Sequence, residues 1–145
     1  MSNFSFKEIQ GDLFVDSDEN DALAHCISQD LRMGKGIALS FLKKYKGVDE
    51  LKAQKKQVGQ VAYLLRENRY IFYLITKSNV NDKPTEENFE KSLVDLRNLC
   101  EKLNVQGLSV PRLGTGLDGL KLEFVKDVIN RVFTGCNIRI TMYYL

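Results

Sequence analysis

The sequence has 145 residues, 43% of them hydrophobic and 28% charged, which suits one soluble domain with a real core and excludes a disordered chain. Lys and Arg number 21 against 19 Asp and Glu. The resulting charge of +2 is too small to argue by itself for a nucleic-acid or anionic-membrane binder. Along the chain, Phe4, Phe6 and Ile9 predict a first strand that ends at Gly11-Asp12. Ala22 to Ile27 reads as a short buried strand. Ile37, Ala38, Phe41, Leu42 and Tyr45 recur at helical spacing between Gly36 and Lys46, and a second short helix is predicted over 49–56. Val61 to Leu65 and Tyr70 to Thr76 are strand-like runs separated by the polar turn 66–69. Pro84 followed by Glu86 and Glu87 marks a helix start, and Phe89, Leu93, Leu96, Cys100 and Leu103 give that helix one apolar face. Gly107 to Val110 is a further strand. Val125, Val128, Ile129, Val132 and Phe133 mark a last helix, and Ile138, Ile140, Met142 and Tyr144 alternate as a closing strand. Strands interleaved with helices predict an α/β sandwich, helices covering both faces of a largely parallel or mixed sheet.

The three cysteines, Cys26, Cys100 and Cys136, are odd in number and widely spaced, so reduced thiols are expected rather than a disulfide framework. With one histidine, His25, and no C-x-x-C pair, no zinc site is expected, nor any other metal or cofactor. A Cys26–His25 catalytic dyad fails on geometry, because neighbours on a strand point to opposite faces. No apolar run approaches the roughly 18 residues of a spanning helix. The opening MSNFSFKEIQGD lacks a basic segment followed by an apolar one, so the expected location is the cytoplasm, or the nucleus of a eukaryote.

The chemistry concentrates at predicted strand ends. Residues 111–120 follow a buried strand and precede a helix, the place where an α/β sheet forms its ligand crevice. Gly114, Gly116 and Gly119 formally match G-x-G-x-x-G, but a Rossmann fingerprint belongs in the first βα turn with an acid about 20 residues on. Two readings stay open for this loop: a plain strand-to-helix turn with permissive glycines, or a cradle of N–H groups for phosphate. A second glycine loop, 32–38, also opens a helix. Two such loops suggest a diphosphate clamped between them. Asp12 is either a turn aspartate or an acceptor for an exocyclic amine. Lys77 leaves a strand, where a lysine is usually a surface charge and acts as a nucleophile only when desolvated as a free amine. Asp118 is either a cap within the glycine loop or the acid/base partner of such a lysine.

In order along the chain stand Gly11-Asp12-Leu13-Phe14, Ala24-His25-Cys26-Ile27-Ser28, Arg32-Met33-Gly34-x-Gly36-Ile37-Ala38, Leu74-Ile75-Thr76-Lys77, Lys83-Pro84-Thr85 and Pro111-Arg112-x-Gly114-x-Gly116-Leu117-Asp118. This series resembles the macrodomains, specifically the branch of the terminal ADP-ribose protein glycohydrolase, over nearly the whole of a single domain, 1–145. Other branches carry an asparagine-rich segment in place of Ala24-His25-Cys26 and a triple glycine in place of 33–36, which supports the narrower likeness. The resemblance implies a three-layer α/β/α sandwich with a mixed, largely parallel central sheet, and ADP-ribose as ligand. Lys77 matches the lysine that attacks the anomeric carbon of an ADP-ribosyl ester, and Asp118 the acid/base that resolves the adduct. Asp12 and Leu13 match adenine contacts. Arg112, Leu113, Gly114, Thr115, Gly116 and Leu117 match the phosphate and distal-ribose loop, and Leu145 a C-terminal ligand contact. His25, Ser28, Gly34, Gly36 and Ile37 complete the implied binding positions. Thr115 and Gly119 occupy variable positions, which leaves substrate preference open.

The function expected is removal of terminal ADP-ribose from Glu or Asp esters on proteins, with deacetylation of O-acetyl-ADP-ribose. Two alternatives accompany it: a glycohydrolase acting on ADP-ribosylated thymidine in DNA, like the DNA-directed macrodomain antitoxins, and a module that binds ADP-ribose without cleaving it. The Lys77–Asp118 pair discriminates, since a pure reader does not need it. The expected partners are ADP-ribose and ADP-ribosylated proteins, with ADP-ribosylated DNA in the second reading, no membrane, and a monomeric chain.

Overall fold

The computed structural model describes residues 3–145, and its elements follow the alternation of the sequence. They are β1 (Ser5–Gln10), α1 (Leu13–Asp16), β2 (Ala22–Ser28), α2 (Gly36–Tyr45), α3 (Val48–Ala53), β3 (Val61–Arg66), β4 (Arg69–Lys77), α4 (Glu86–Lys102), β5 (Gly107–Pro111), α5 (Leu122–Phe133) and β6 (Arg139–Tyr144). The strands form one sheet in the order β1-β6-β5-β2-β4-β3. All neighbours pair in parallel except β3 with β4. That hairpin turns on Glu67 and Asn68, both left-handed at φ 49° and 66°, the backbone of a two-residue turn whose twist suits the flanking strands.

Alternation along the strands sorts the core into two layers. Ala24, Phe72, Leu74, Val110 and Ile140 face α4 and α5, meeting Phe89, Leu93, Leu96, Val125, Val128 and Ile129. Leu23, Ile27, Ile71, Tyr73 and Ile75 face the other way, onto Leu13, Phe41 and Leu51 of α1, α2 and α3. The result is a three-layer sandwich on a mixed, largely parallel sheet. Helix α4 begins as its sequence dictates: Thr85 Oγ1 accepts from the Asn88 N–H at 3.1 Å, with Glu86 and Glu87 in the positive first turn. At the N-terminal edge of the sheet, buried Asp21 accepts from Ser109 Oγ at 2.9 Å and Arg139 Nη2 at 2.5 Å. This clamp ties β2, β5 and β6 together at the end away from the glycine loops.

Three differences from the sequence reading matter. The first strand stops at Gln10, because Asp12 caps a four-residue helix, α1, that no periodicity announces. Helix α3 runs Val48–Ala53 rather than to residue 56, and Lys55 beyond it is left-handed at φ 53°. Finally, β2 and β4 slip register at their ends: Ile27 stands opposite Ile75, but Ser28 stands opposite Lys77. The extra residue is Thr76.

Candidate active site

Because five strands are parallel, their C-terminal ends share one edge, and every loop singled out in the sequence leaves from it. Following the sheet order, that edge carries Asp12 after β1, Tyr144-Leu145 at β6, the 112–120 loop after β5, the 29–35 loop after β2, and Lys77 at the end of β4. Neighbouring strands lie about 4.8 Å apart, so β1 to β4 spans about 19 Å.

The slip at Thr76 decides where Lys77 points. An unbroken β4 would put Lys77 on the same face as Tyr73 and Ile75, toward α2 and α3. A one-residue bulge turns it to the face of Cys26 and Ser28 instead. There its Nζ donates to Asp118 Oδ1 at 2.6 Å, with the two side chains 12% and 15% exposed. Asp118 arrives from the glycine loop 41 residues on. Lys83 adds a tie from the segment before α4, its ammonium donating to the Leu117 carbonyl. The pairing that sequence could only suggest is therefore made.

The two glycine loops face one another. A Cβ built on Gly36 would lie 3.8 Å from Leu117 Cδ1, which is itself 65% exposed on the opposite loop. Gly34 and Gly116 have open space where a side chain would stand. Gly114 needs its φ of +70°, and a Cβ there would meet Leu120 Cδ1 at 2.8 Å. Ile37 and Thr115 complete the rim, the latter hydroxyl donating to the Arg112 carbonyl at 2.8 Å. The 29–35 loop is held by Asp30, which sequence reasoning missed. Asp30 accepts from Ser28 Oγ at 2.5 Å and from the N–H of Val80 at 2.9 Å and Arg32 at 3.3 Å. Desolvation alone would raise its pKa, but these bonds outweigh it and hold the carboxyl below the usual range. Leu31 and Met33 in this loop are left-handed at φ 60° and 45°, which non-glycine residues seldom adopt.

At the other end, Asp12 caps α1, accepting from the Phe14 N–H at 2.9 Å while its own N–H donates to Asp16 Oδ2 at 2.7 Å. Leu145 is 92% exposed beside it in strand order. Arg112 is already engaged: its Nε lies 3.2 Å from Glu8 Oε2, and its guanidinium sits 4.2 Å from the Tyr144 ring centroid. Lys126 shares Glu8 at 2.8 Å and, with Arg112, holds that carboxyl below its ordinary value.

Four implied binding residues present no free side chain to the crevice. Leu13 and Leu113 are buried in the two core layers, and Ser28 is buried with its hydroxyl spent on Asp30. The fourth, His25, keeps its side chain in the core. It is fully buried, its ring stacked 3.8 Å from Phe41, and neither ring nitrogen has a hydrogen-bond partner among the described residues. Burial holds its pKa down at about 3, against an ordinary 6.5. Below pH 6.5 the unfolded chain takes up a proton that the folded chain refuses, so stability is lost as pH falls through this window. The slope is about 1.4 kcal/mol per pH unit, or roughly 2 kcal/mol between pH 6.5 and 5. Urea unfolding at pH 7 and pH 5 is expected to show this loss in the wild type and to show it smaller by roughly that amount in His25→Phe. An identical pH dependence in both proteins would place the acid sensitivity elsewhere.

Cys26 sits on the opposite face from His25, as alternation requires. Burial, and then the neighbouring Asp118 carboxylate, pushes its thiol well above the ordinary range, with Lys77 opposing.

No family model matches this sequence. The ADP-ribose glycohydrolase OARD1 of Homo sapiens, like that of Bos taurus, is 51% identical over 137 residues, which cover 94% of this chain and 90% of the relative. The chain is a macrodomain of the ADP-ribose glycohydrolase family. This macrodomain is accordingly a hydrolase. The DNA ADP-ribosyl glycohydrolase of Thermus aquaticus is 31% identical over 120 residues, 75% of this macrodomain and 33% of that longer protein. Among solved structures, the macrodomain of Thermus aquaticus DarG superposes with a TM-score of 0.86 at 24% identity, covering 98% of this chain and 99% of the other. Among the described residues, no helix of this macrodomain is long and apolar enough to cross a membrane.

Proposed function

We propose that the protein removes ADP-ribose from carboxylate esters of Glu and Asp on proteins, with Lys77 as nucleophile, and that it deacetylates O-acetyl-ADP-ribose at the same site. The observation that carries this reading is the Lys77–Asp118 contact of 2.6 Å at the end of an edge lined by two facing glycine loops. ADP-ribose would lie along that edge, adenine toward Asp12 and Leu145, diphosphate between the loops, and distal ribose at Lys77. Backbone N–H groups of the loops supply the anion site without needing an arginine, which fits an Arg112 held by Glu8.

The chemistry uses groups of this chain and water. The Lys77 ammonium passes a proton to Asp118. The freed amine attacks the anomeric carbon; a C–N bond forms, the C–O bond breaks, and its electron pair leaves on the carboxylate of the acceptor. The adduct nitrogen sheds a proton to water, and its lone pair expels the ring oxygen as Asp118 returns its proton to that oxygen. The resulting iminium is hydrolysed by a water whose proton Asp118 accepts, which releases Lys77. The carboxylate is a good leaving group that departs without a proton, which is why an ester suits this pair.

A second reading is favoured by the likeness to the Thermus aquaticus DNA ADP-ribosyl glycohydrolase. The same lysine would then cleave ADP-ribose from thymidine. The test is incubation with ADP-ribose linked through Glu, Ser, Arg and thymidine, together with calorimetry on the free ligands. Release from Glu is expected to be fastest, and ADP-ribose is expected to bind more tightly than AMP, which lacks the second phosphate and distal ribose. Exclusive release from thymidine would select the second reading. No binding of ADP-ribose at millimolar concentration would reject both.

A further inference from the structure

The edge that holds the proposed ligand does not end at Lys77. Beyond β4 in the sheet lies β3, and the antiparallel direction of β3 brings its N-terminal end, not its C-terminal end, to this edge. There the segment before β3 turns back, with the Val58 N–H donating to Gln29 Oε1 at 3.0 Å and the Gly59 N–H donating to the Ile75 carbonyl at 2.7 Å. A groove of about 440 Å³ opens at this turn, lined by Val58, Thr76, Lys77, Ser78, Asp82 and Asn88. Lys77 is thus shared between the crevice and the groove, whereas no residue of either glycine loop lines the groove.

We propose that this groove seats the acceptor from which ADP-ribose is removed, and that its chemistry selects a polypeptide over a phosphodiester strand. The inference rests on the reading that Lys77 attacks the anomeric carbon. With adenine at β1 and the distal ribose at β4, whatever is bonded to that carbon continues in the one direction left along the edge, toward β3.

The lining groups suit an amide chain. Thr76 is buried, and its hydroxyl has no hydrogen-bond partner among the described residues. A buried hydroxyl left unmatched is costly, and an acceptor oxygen beside it would supply the missing partner. The side chains of Ser78 and Asn88 are likewise free to pair with peptide N–H and C=O groups, Asn88 only through its amide because its N–H is used by the Thr85 cap. The charged groups argue against phosphates. Lys77 is paired with Asp118, and Lys83, tied to the Leu117 carbonyl but still charged, shares the groove with the Asp82 carboxylate, so the groove offers a phosphodiester no net positive charge. Asp82 keeps its carboxylate there, one oxygen accepting from Asn79, and would repel a phosphodiester.

The experiment compares kcat/KM on three substrates: O-acetyl-ADP-ribose with the acetyl on the anomeric oxygen, which has almost no acceptor; a Glu-linked ADP-ribosyl peptide; and a thymidine-linked ADP-ribosyl oligonucleotide. Asn88→Ala is expected to lower kcat/KM on the peptide roughly tenfold more than on the acetyl ester, mainly through KM, as loss of uniform binding does. Asp82→Lys is expected to shift the peptide-to-oligonucleotide preference toward the oligonucleotide by a similar factor. Thr76→Val is expected to slow ester cleavage, and Thr76→Ser to restore it. Melting curves confirm that each variant is folded. Equal losses on the peptide and the acetyl ester, with no change of preference in Asp82→Lys, would overturn the groove assignment while leaving the lysine chemistry intact. Failure of the wild type to cleave either ester would overturn both.

Discussion

Lys77→Arg is expected to abolish ester cleavage, with turnover falling by at least roughly a thousandfold, while ADP-ribose affinity stays within a few-fold of wild type. A guanidinium stays protonated in proteins, so it can keep the charge opposite Asp118 but cannot become a free amine. Affinity is expected to survive because, in the proposed binding mode, the glycine loops and the Asp12 end make most of the ground-state contacts, whereas the amine acts on the transition state. Lys77→Ala is expected to be equally inactive, and less stable, because it leaves Asp118, only 15% exposed, without its cation. Turnover and calorimetric affinity for the two variants separate the alternatives. A lysine that merely stabilises charge would tolerate arginine and keep a substantial rate, and an active Lys77→Arg would end the covalent reading.

Asp118→Ala is expected to lower turnover by roughly a hundredfold or more, the usual contribution of a positioned acid/base. Its effect differs in kind from that at position 77. Lys77 can still lose its proton to water and attack, but the adduct then lacks the group that opens and hydrolyses it. Single-turnover kinetics should therefore show the acceptor leaving faster than free ADP-ribose appears. Unchanged turnover would reduce Asp118 to a turn residue of the glycine loop.

How far the sequence carried these conclusions depends on which forces were local. Strand and helix identities were legible because side-chain alternation and helical periodicity are written in neighbouring residues: α4 announces itself through Pro84, Thr85, Glu86 and Glu87, and β4 through its apolar run. Lys77 at a strand exit and Asp118 in a glycine loop were legible for the same reason. What brings them together was not. The placement of β6 between β1 and β5, and the slip that sets Ser28 against Lys77, are products of pairing between distant segments. No local pattern predicts that Thr76 is the extra residue, yet that slip aims the lysine.

The side chain of His25 lies in the core for a related reason. Its place inside a ligand-bearing block of sequence says nothing about which face of β2 it occupies, and alternation from Leu23 and Ile27 puts it against Phe41. The same alternation could have been used to foresee this, since it had already separated His25 from Cys26. Asp30 and Glu8 escaped notice because their work is to hold other groups: one fixes the 29–35 loop to the segment after β4, the other occupies Arg112. An aspartate two residues after a strand is a common turn signal, and only its hydrogen bonds to Ser28 and Val80 distinguish it.

The central claim, that Lys77 forms a covalent bond to the distal ribose, is tested most directly by mixing Asp118→Ala with a Glu-linked ADP-ribosyl peptide and measuring intact protein mass, then mapping the modified position. The account predicts a protein carrying one added ADP-ribose, located on the peptide that contains Lys77, and no such species when Lys77 is also replaced by alanine. Turnover by the Asp118→Ala protein with no adduct at any time, or an adduct on another residue that persists without Lys77, would contradict it.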